Sequence, residues 1–126
     1  MQYRLLIVDD EPAICSALCT ILRVEGFAVE TASSGQSAKA ALASGAFDAV
    51  ITDISMETPT AGYDVIEAAG KQNPRPATIL MSANPAFAGD WKAHGAQAFF
   101  EKPMLISELL DRIRKLLVDD HGRPAA

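Results

Sequence analysis

The sequence predicts a single α/β domain in which a parallel β-sheet is covered by helices on both faces. Three observations carry that expectation. Short apolar runs alternate with longer stretches at helical spacing, five times along the chain. The runs are nearly continuous, as in strands buried on both faces. The connections between them are short, which implies right-handed crossovers. With 126 residues, 49% of them hydrophobic and 21% charged, the chain is long and apolar enough for one domain with a real core.

Taken in order, Leu5-Leu6-Ile7-Val8 reads as the first strand, closed by Asp9-Asp10-Glu11-Pro12. Pro12 suits a first helical turn, Ile14, Leu18, Ile21 and Leu22 recur at helical spacing, and Gly26 stops the helix. Phe27 to Ala32 is a shorter second strand. Ser33-Ser34-Gly35 opens an Ala-rich helix through Leu42, stopped by Gly45. Phe47 to Asp53 is the third strand, followed by an irregular loop from Ser55 to Ala61. Gly62 opens a third helix, with Val65, Ile66 and Ala69 facing in, and Asn73-Pro74-Arg75-Pro76 breaks it. Thr78 to Met81 is the fourth strand, ending at Ser82-Ala83. A weak helix is expected over roughly Pro85 to His94, with a poor hydrophobic pattern and Gly89 inside it. Trp91 is read as a packing residue, with anchoring of a partner the less favoured alternative. Ala98-Phe99-Phe100 is the fifth strand, terminated by Glu101-Lys102-Pro103. The last helix runs from about Ile106 to Val118, with its basic residues late, where the helix dipole favours them. His121 to Ala126 is a short polar tail.

Composition narrows the function. A net charge of −5 leaves no electrostatic footprint for nucleic acid or an anionic membrane surface. No apolar run approaches the ~20 residues of a membrane span, and the N-terminus has no signal-peptide pattern, so the cytoplasm is the expected compartment. Cys15 and Cys19 lie four apart on one helix face, with no second pair to make a zinc site, and are expected as free, buried or half-buried thiols.

In open α/β sheets, chemistry collects at the C-terminal ends of the strands. Here those ends carry Asp9 and Asp10, Asp53, Ser82 and Lys102. Each has an ordinary explanation as a turn former, cap or surface charge, and Asp53 alone is as good a turn residue as anything else. Together on one rim they form a constellation. Two carboxylates about 4 Å apart repel by roughly 4 kcal/mol at an effective dielectric of 20. Three around one point need a cation among them, and oxygen-only ligands favour Mg²⁺. A carboxylate beside Mg²⁺, a hydroxyl and a lysine is equipped for phosphoryl transfer.

At these residues the chain resembles the receiver domain of two-component response regulators, over essentially its full length. The stretches that carry the likeness are Leu6 to Pro12, Phe47 to Met56, Leu80 to Ala83 and Phe99 to Pro103. The resemblance implies a doubly wound, flavodoxin-like (βα)5 fold with strand order 2-1-3-4-5, over residues 1–120. It implies that Asp53 is the phosphoacceptor and that Asp9 and Asp10 hold Mg²⁺ with Asp53 and the backbone carbonyl of Ser55. By the same likeness Ser82 is the switch hydroxyl, Lys102 binds the phosphoryl group, and Phe99 is the aromatic switch. Ser55 and Asn84 flank the site, where the family tunes the phosphate's lifetime, and the Lys102–Pro103 bond is cis. A sensor histidine kinase or a histidine phosphotransfer protein would be the donor. The target would be a downstream protein that the sequence does not identify, with no direct nucleic-acid or membrane contact.

The chain departs from the family in its poor fourth helix, with Gly89, Asp90 and Trp91 in mid-segment, and in the loop after Asp53. Glu57 and Thr58 intervene before Pro59, and Gly62 falls one position late, so the loop after Asp53 is one residue longer. Two other readings remain beside the switch, which is not itself an enzyme. One is a phosphate-independent binding module of receiver fold. The other is an aspartyl-nucleophile phosphatase, disfavoured because Ser55 stands where such enzymes commonly place a second acid. A flavin-binding domain is disfavoured by the acidic first loop.

Overall fold

A computed structural model describes residues 2–84, 86, 89 and 91–120. Five parallel strands form one sheet: β1 (Arg4–Val8), β2 (Ala28–Ala32), β3 (Ala49–Asp53), β4 (Ala77–Ser82) and β5 (Ala98–Glu101). Their order is β2-β1-β3-β4-β5, as the family likeness implies. Four α-helices are found among the described residues: α1 (Pro12–Val24), α2 (Gly35–Ser44), α3 (Ala61–Gly70) and α4 (Ile106–Lys115).

The apolar strand runs divide between two faces because side chains alternate along a strand. Leu5, Ile7, Ala49, Ile51, Ile79 and Met81 pack with Cys15, Leu18 and Leu22 of α1 and Leu109 and Ile113 of α4. Leu6, Val8 and Val50 face the other way, with Ala38 and Leu42 of α2 and Val65 and Ala69 of α3. Both cysteines are free and buried. Gly26 ends α1 as expected: its φ of +99° is open to glycine, Phe27 N–H donates to Leu22 O, and Gly26 N–H donates to Arg23 O.

Two expectations are corrected. Pro85, Phe87, Ala88 and Asp90 lie outside the described residues, but Trp91–Gly95 form turns, not the end of an α-helix. Gly95 closes them at φ +93°. The stretch lacks the apolar stripe that would tie a helix to the sheet, and short helices are marginal without one. Trp91 packs instead beside a small cluster of Ile54, Tyr63, Ile66, Leu80 and Ala96, stacked on Phe99 at 6.3 Å between ring centroids. The second correction is at the C-terminus. The last helix is α-helical only to Lys115 and widens into a π-helical turn over Leu116–Asp120. Leu116 and Leu117 stay buried there. The tail read at 121–126 lies outside the described residues.

Gly62 fixes the approach of α3 to the end of β3. Its N–H donates to Ile54 O at 2.7 Å. A Cβ at this position would lie 2.7 Å from Ile54 Cα and closer still to the Asp53 carbonyl oxygen. Both are backbone atoms, so there is no side chain to yield. Gly62→Ala is therefore expected to destabilise the domain by about 2–3 kcal/mol, the cost of overpacking a rigid site. Urea denaturation measures this, and an unchanged midpoint would refute the close approach.

Candidate functional site

The parallel arrangement brings the C-terminal ends of β1, β3, β4 and β5 to one edge of the sheet. Asp9 follows β1, held by its own N–H to Ala32 O of β2 (3.1 Å) and by the Cys15 thiol, which donates to the Asp9 carbonyl (3.2 Å). Its side chain is fully buried. Oδ1 accepts from Glu11 N–H at 3.0 Å, and Oδ2 accepts from Lys102 Nζ at 2.7 Å. Asp10 is exposed beside it. Asp53 is the last residue of β3 and is 8% exposed. Its Oδ1 accepts from Ile54 N–H at 3.1 Å, and its Oδ2 lies 3.5 Å from Lys102 Nζ. Lys102 is positioned by its backbone N–H, which donates to Ser82 O at 2.9 Å and continues the β4–β5 ladder.

Asp9, Asp10 and Asp53 each present a carboxylate oxygen within 4.8 Å of the others. One ammonium serves two of them, and its short bond goes to Asp9. Asp53 keeps the longer contact. Burial, with Asp9 and Asp10 nearby, raises the Asp53 pKa to about 6, against the lowering influence of Lys102. For Lys102, burial acts downward, but the hydrogen bond to Asp9 and the charge of Asp53 outweigh it and raise its pKa. Three oxygen donors with one shared cation form a set suited to a hard divalent ion.

The structure brings Asp9, Asp10, Asp53 and Lys102 together. Ser82 is buried at the same edge, but its hydroxyl accepts from Asn84 N–H at 3.0 Å and, among the described residues, makes no hydrogen bond to Asp53. Asn84 is exposed, and its Oδ1 accepts from Ala86 N–H. Phe99 is half-buried against Trp91. Ser55 is half-buried, and its hydroxyl donates to Pro59 O at 2.8 Å within the loop. The Lys102–Pro103 bond is cis, as expected, and so is Asn73–Pro74.

Two contacts escaped the sequence. Tyr63 of α3 stacks on His94 with ring centroids 3.6 Å apart, tying α3 to the turns before β5. Glu57, in the loop after Asp53, reaches α2, where both carboxylate oxygens accept backbone N–H groups. The available signal was that α2 has no acid in its own first turn to serve those groups.

A family model described as the response regulator receiver domain matches residues 5–114. The chain belongs to the response regulator receiver family. Among curated relatives, this receiver is 34% identical over 116 residues to the probable transcriptional regulatory protein TcrX of Mycobacterium tuberculosis, covering 89% of this chain and 48% of that protein. It is 30% identical to the DNA-binding transcriptional regulator NtrC of Rhizobium meliloti, covering 96% of this chain and 25% of that one. The receiver thus spans about half the length, or less, of these relatives. Among solved structures, response regulator TrrA of Thermotoga maritima, in complex with Mg²⁺–BeF, superposes with a TM-score of 0.81 at 32% identity, covering 92% of this chain and 99% of that one. A CheY-like receiver domain from Methanospirillum hungatei superposes with a TM-score of 0.86 at 28% identity, covering 97% and 98%. No helix among the described residues is long and apolar enough to cross a membrane.

The raised Asp53 pKa has a stability consequence. Between its ordinary pKa of 3.8 and about 6, the folded state holds a proton that the unfolded chain has released. Stability therefore falls as pH rises through that window, and at neutrality the ionised carboxylate opposes folding. A shift of about two units corresponds to up to ~3 kcal/mol. Without metal, Asp53→Asn should raise the thermal midpoint near neutral pH, and the gain should vanish as pH falls toward 4. A gain independent of pH would show that the charge is not its source.

Proposed function

We propose that this receiver is a phosphoacceptor switch with Asp53 as the acceptor. The observation that carries the reading is the convergence of three carboxylates on one edge with Lys102 between two of them. In the phosphotransfer step, a bond forms from an Asp53 carboxylate oxygen to phosphorus as the donor's phosphohistidine P–N bond breaks, with the imidazole as leaving group. With its pKa at about 6, Asp53 is ionised and nucleophilic at neutral pH. Lys102 lies 3.5 Å from its Oδ2 and offers charge to the equatorial oxygens of the transferring group.

Asp9, Asp10, Asp53 and the Ser55 backbone carbonyl would hold Mg²⁺. The bound ion would supply neutralisation of the charge that builds on the phosphoryl oxygens. Once the acyl phosphate forms, the Ser82 hydroxyl exchanges its Asn84 partner for a phosphoryl oxygen and Phe99 moves inward. That shifts the population of the β4–β5 face between two states. Ser55 and Asn84 flank this path and set how long the phosphate survives.

The donor is a sensor histidine kinase or a histidine phosphotransfer protein, and the setting is cytoplasmic. Residues 1–120 act as the unit, with output through contact with a downstream protein. The relatives' names make control of transcription a candidate output for a longer protein that contains this domain. The unit itself turns over no substrate beyond its own phosphorylation and dephosphorylation.

Incubation with Mg²⁺ and acetyl phosphate, followed by intact mass, tests the reading. One phosphoryl adduct per chain is expected, dependent on Mg²⁺ and absent in Asp53→Asn. No adduct with the metal present would favour a phosphate-independent binding module. Repeated turnover of phosphate esters would favour a phosphatase.

A further inference from the structure

The loop after Asp53 is held from outside the site. Helix α2 begins with N–H groups that no preceding turn can accept. Ser34 serves one, its Oγ accepting from Ser37 N–H at 3.0 Å. Gly35 and Gln36 N–H remain, and Glu57 takes both, Oε1 at 2.8 Å from Gly35 N and Oε2 at 2.9 Å from Gln36 N. The carboxylate sits where the helix dipole favours negative charge. Gly35 makes room for this seat: a Cβ there would stand 3.2 Å from Ala61 Cβ and 3.4 Å from Glu57 Oε2. The loop therefore has two anchors. At one end Gly62 pins it to Ile54, and in its middle Glu57 pins it to an element more than twenty residues earlier in the chain. Between Asp53 and Glu57 lies Ser55, whose hydroxyl is already tied to Pro59.

We propose that Glu57 is a positioning residue that clamps the 54–60 loop to the first turn of α2 and so fixes the loop on which the acceptor site depends. Glu57 touches none of Asp9, Asp10, Asp53 or Lys102 through any hydrogen bond or ion pair among the described residues. Its effect passes through the backbone between it and Ser55. The inference rests on the phosphoacceptor reading, which makes the Ser55 carbonyl a metal ligand. Releasing the clamp loosens that carbonyl, so Mg²⁺ binding weakens and the acyl phosphate decays at a different rate.

The test compares wild type, Glu57→Ala and Glu57→Gln by backbone NMR, titrating MgCl₂ and following the Asp10 and Ile54 amides. In Glu57→Ala the Gly35 and Gln36 amide protons should move upfield as their bonds are lost. The half-saturating Mg²⁺ concentration should rise about three- to tenfold, at or below the lower end of the ~10–100-fold effect of groups that hold metal ligands directly. Glu57→Gln keeps one carbonyl acceptor and should fall between. The half-life of the acetyl-phosphate adduct should change in the same order. Upfield amide shifts and a lower thermal midpoint, with Mg²⁺ half-saturation and adduct half-life unchanged, would overturn the proposal and leave Glu57 a helix cap only. A wild type that neither responds to Mg²⁺ nor takes up phosphate would instead remove the phosphoacceptor reading, and this inference with it.

Discussion

The bond between Lys102 Nζ and Asp9 Oδ2 is the contact on which the rest of the site depends. It joins residues 93 apart in sequence, at the ends of two strands that are not neighbours in the sheet. Three carboxylates converge here, and among the described residues Lys102 is the ammonium paired with two of them. Because Asp9 takes the short bond, Asp53 is left with the weaker share of the same cation, buried and near two acids. Burial, with Asp9 and Asp10 nearby, makes Asp53 reluctant to ionise in the absence of further positive charge, although Lys102 acts the other way. A site built this way is poised to gain from a second cation, and the gain is concentrated on Asp53.

The scaffold that permits this is rigid where it needs to be. Asp9 is fixed through its backbone by β2 and by the Cys15 thiol, so the cysteine expected as a free, buried or half-buried thiol also supports an acid of the site. Lys102 is fixed by the carbonyl of Ser82. Asp53 is fixed by full burial of the strand behind it and by an α3 that approaches closely enough to exclude a side chain at Gly62. The loop beyond Asp53 is tied to the sheet at Ile54, whose N–H donates to Met81 O of β4, and to α2 through Glu57.

Much of this was legible in the sequence for a physical reason. Strands buried on both faces need unbroken apolar runs, and Leu5–Val8 and Ala49–Thr52 could be read directly. Parallel order then puts every strand's C-terminal end on one edge, so the positions of Asp9, Asp53 and Lys102 followed from the strands alone. What was not legible depends on contacts that periodicity does not encode. Residues 91–94 were expected in a helix because alternation demanded one there, yet no apolar stripe supports it. The π-helical turn after Lys115 keeps Leu116 and Leu117 buried, so its hydrophobic pattern looks like more α-helix. The reach of Glu57 to two backbone amides of α2 was not legible, since main-chain donors leave no mark in a sequence.

The most direct measurement is the pKa of the Asp53 carboxyl, read by ¹³C NMR of its Cγ with and without Mg²⁺. Without metal it should titrate near 6. With saturating Mg²⁺ the midpoint should drop below the ordinary carboxylate range, because a bound cation favours the ionised form. A midpoint that starts near the ordinary value, or one that Mg²⁺ leaves unmoved, would contradict a site whose acids are arranged to await a cation.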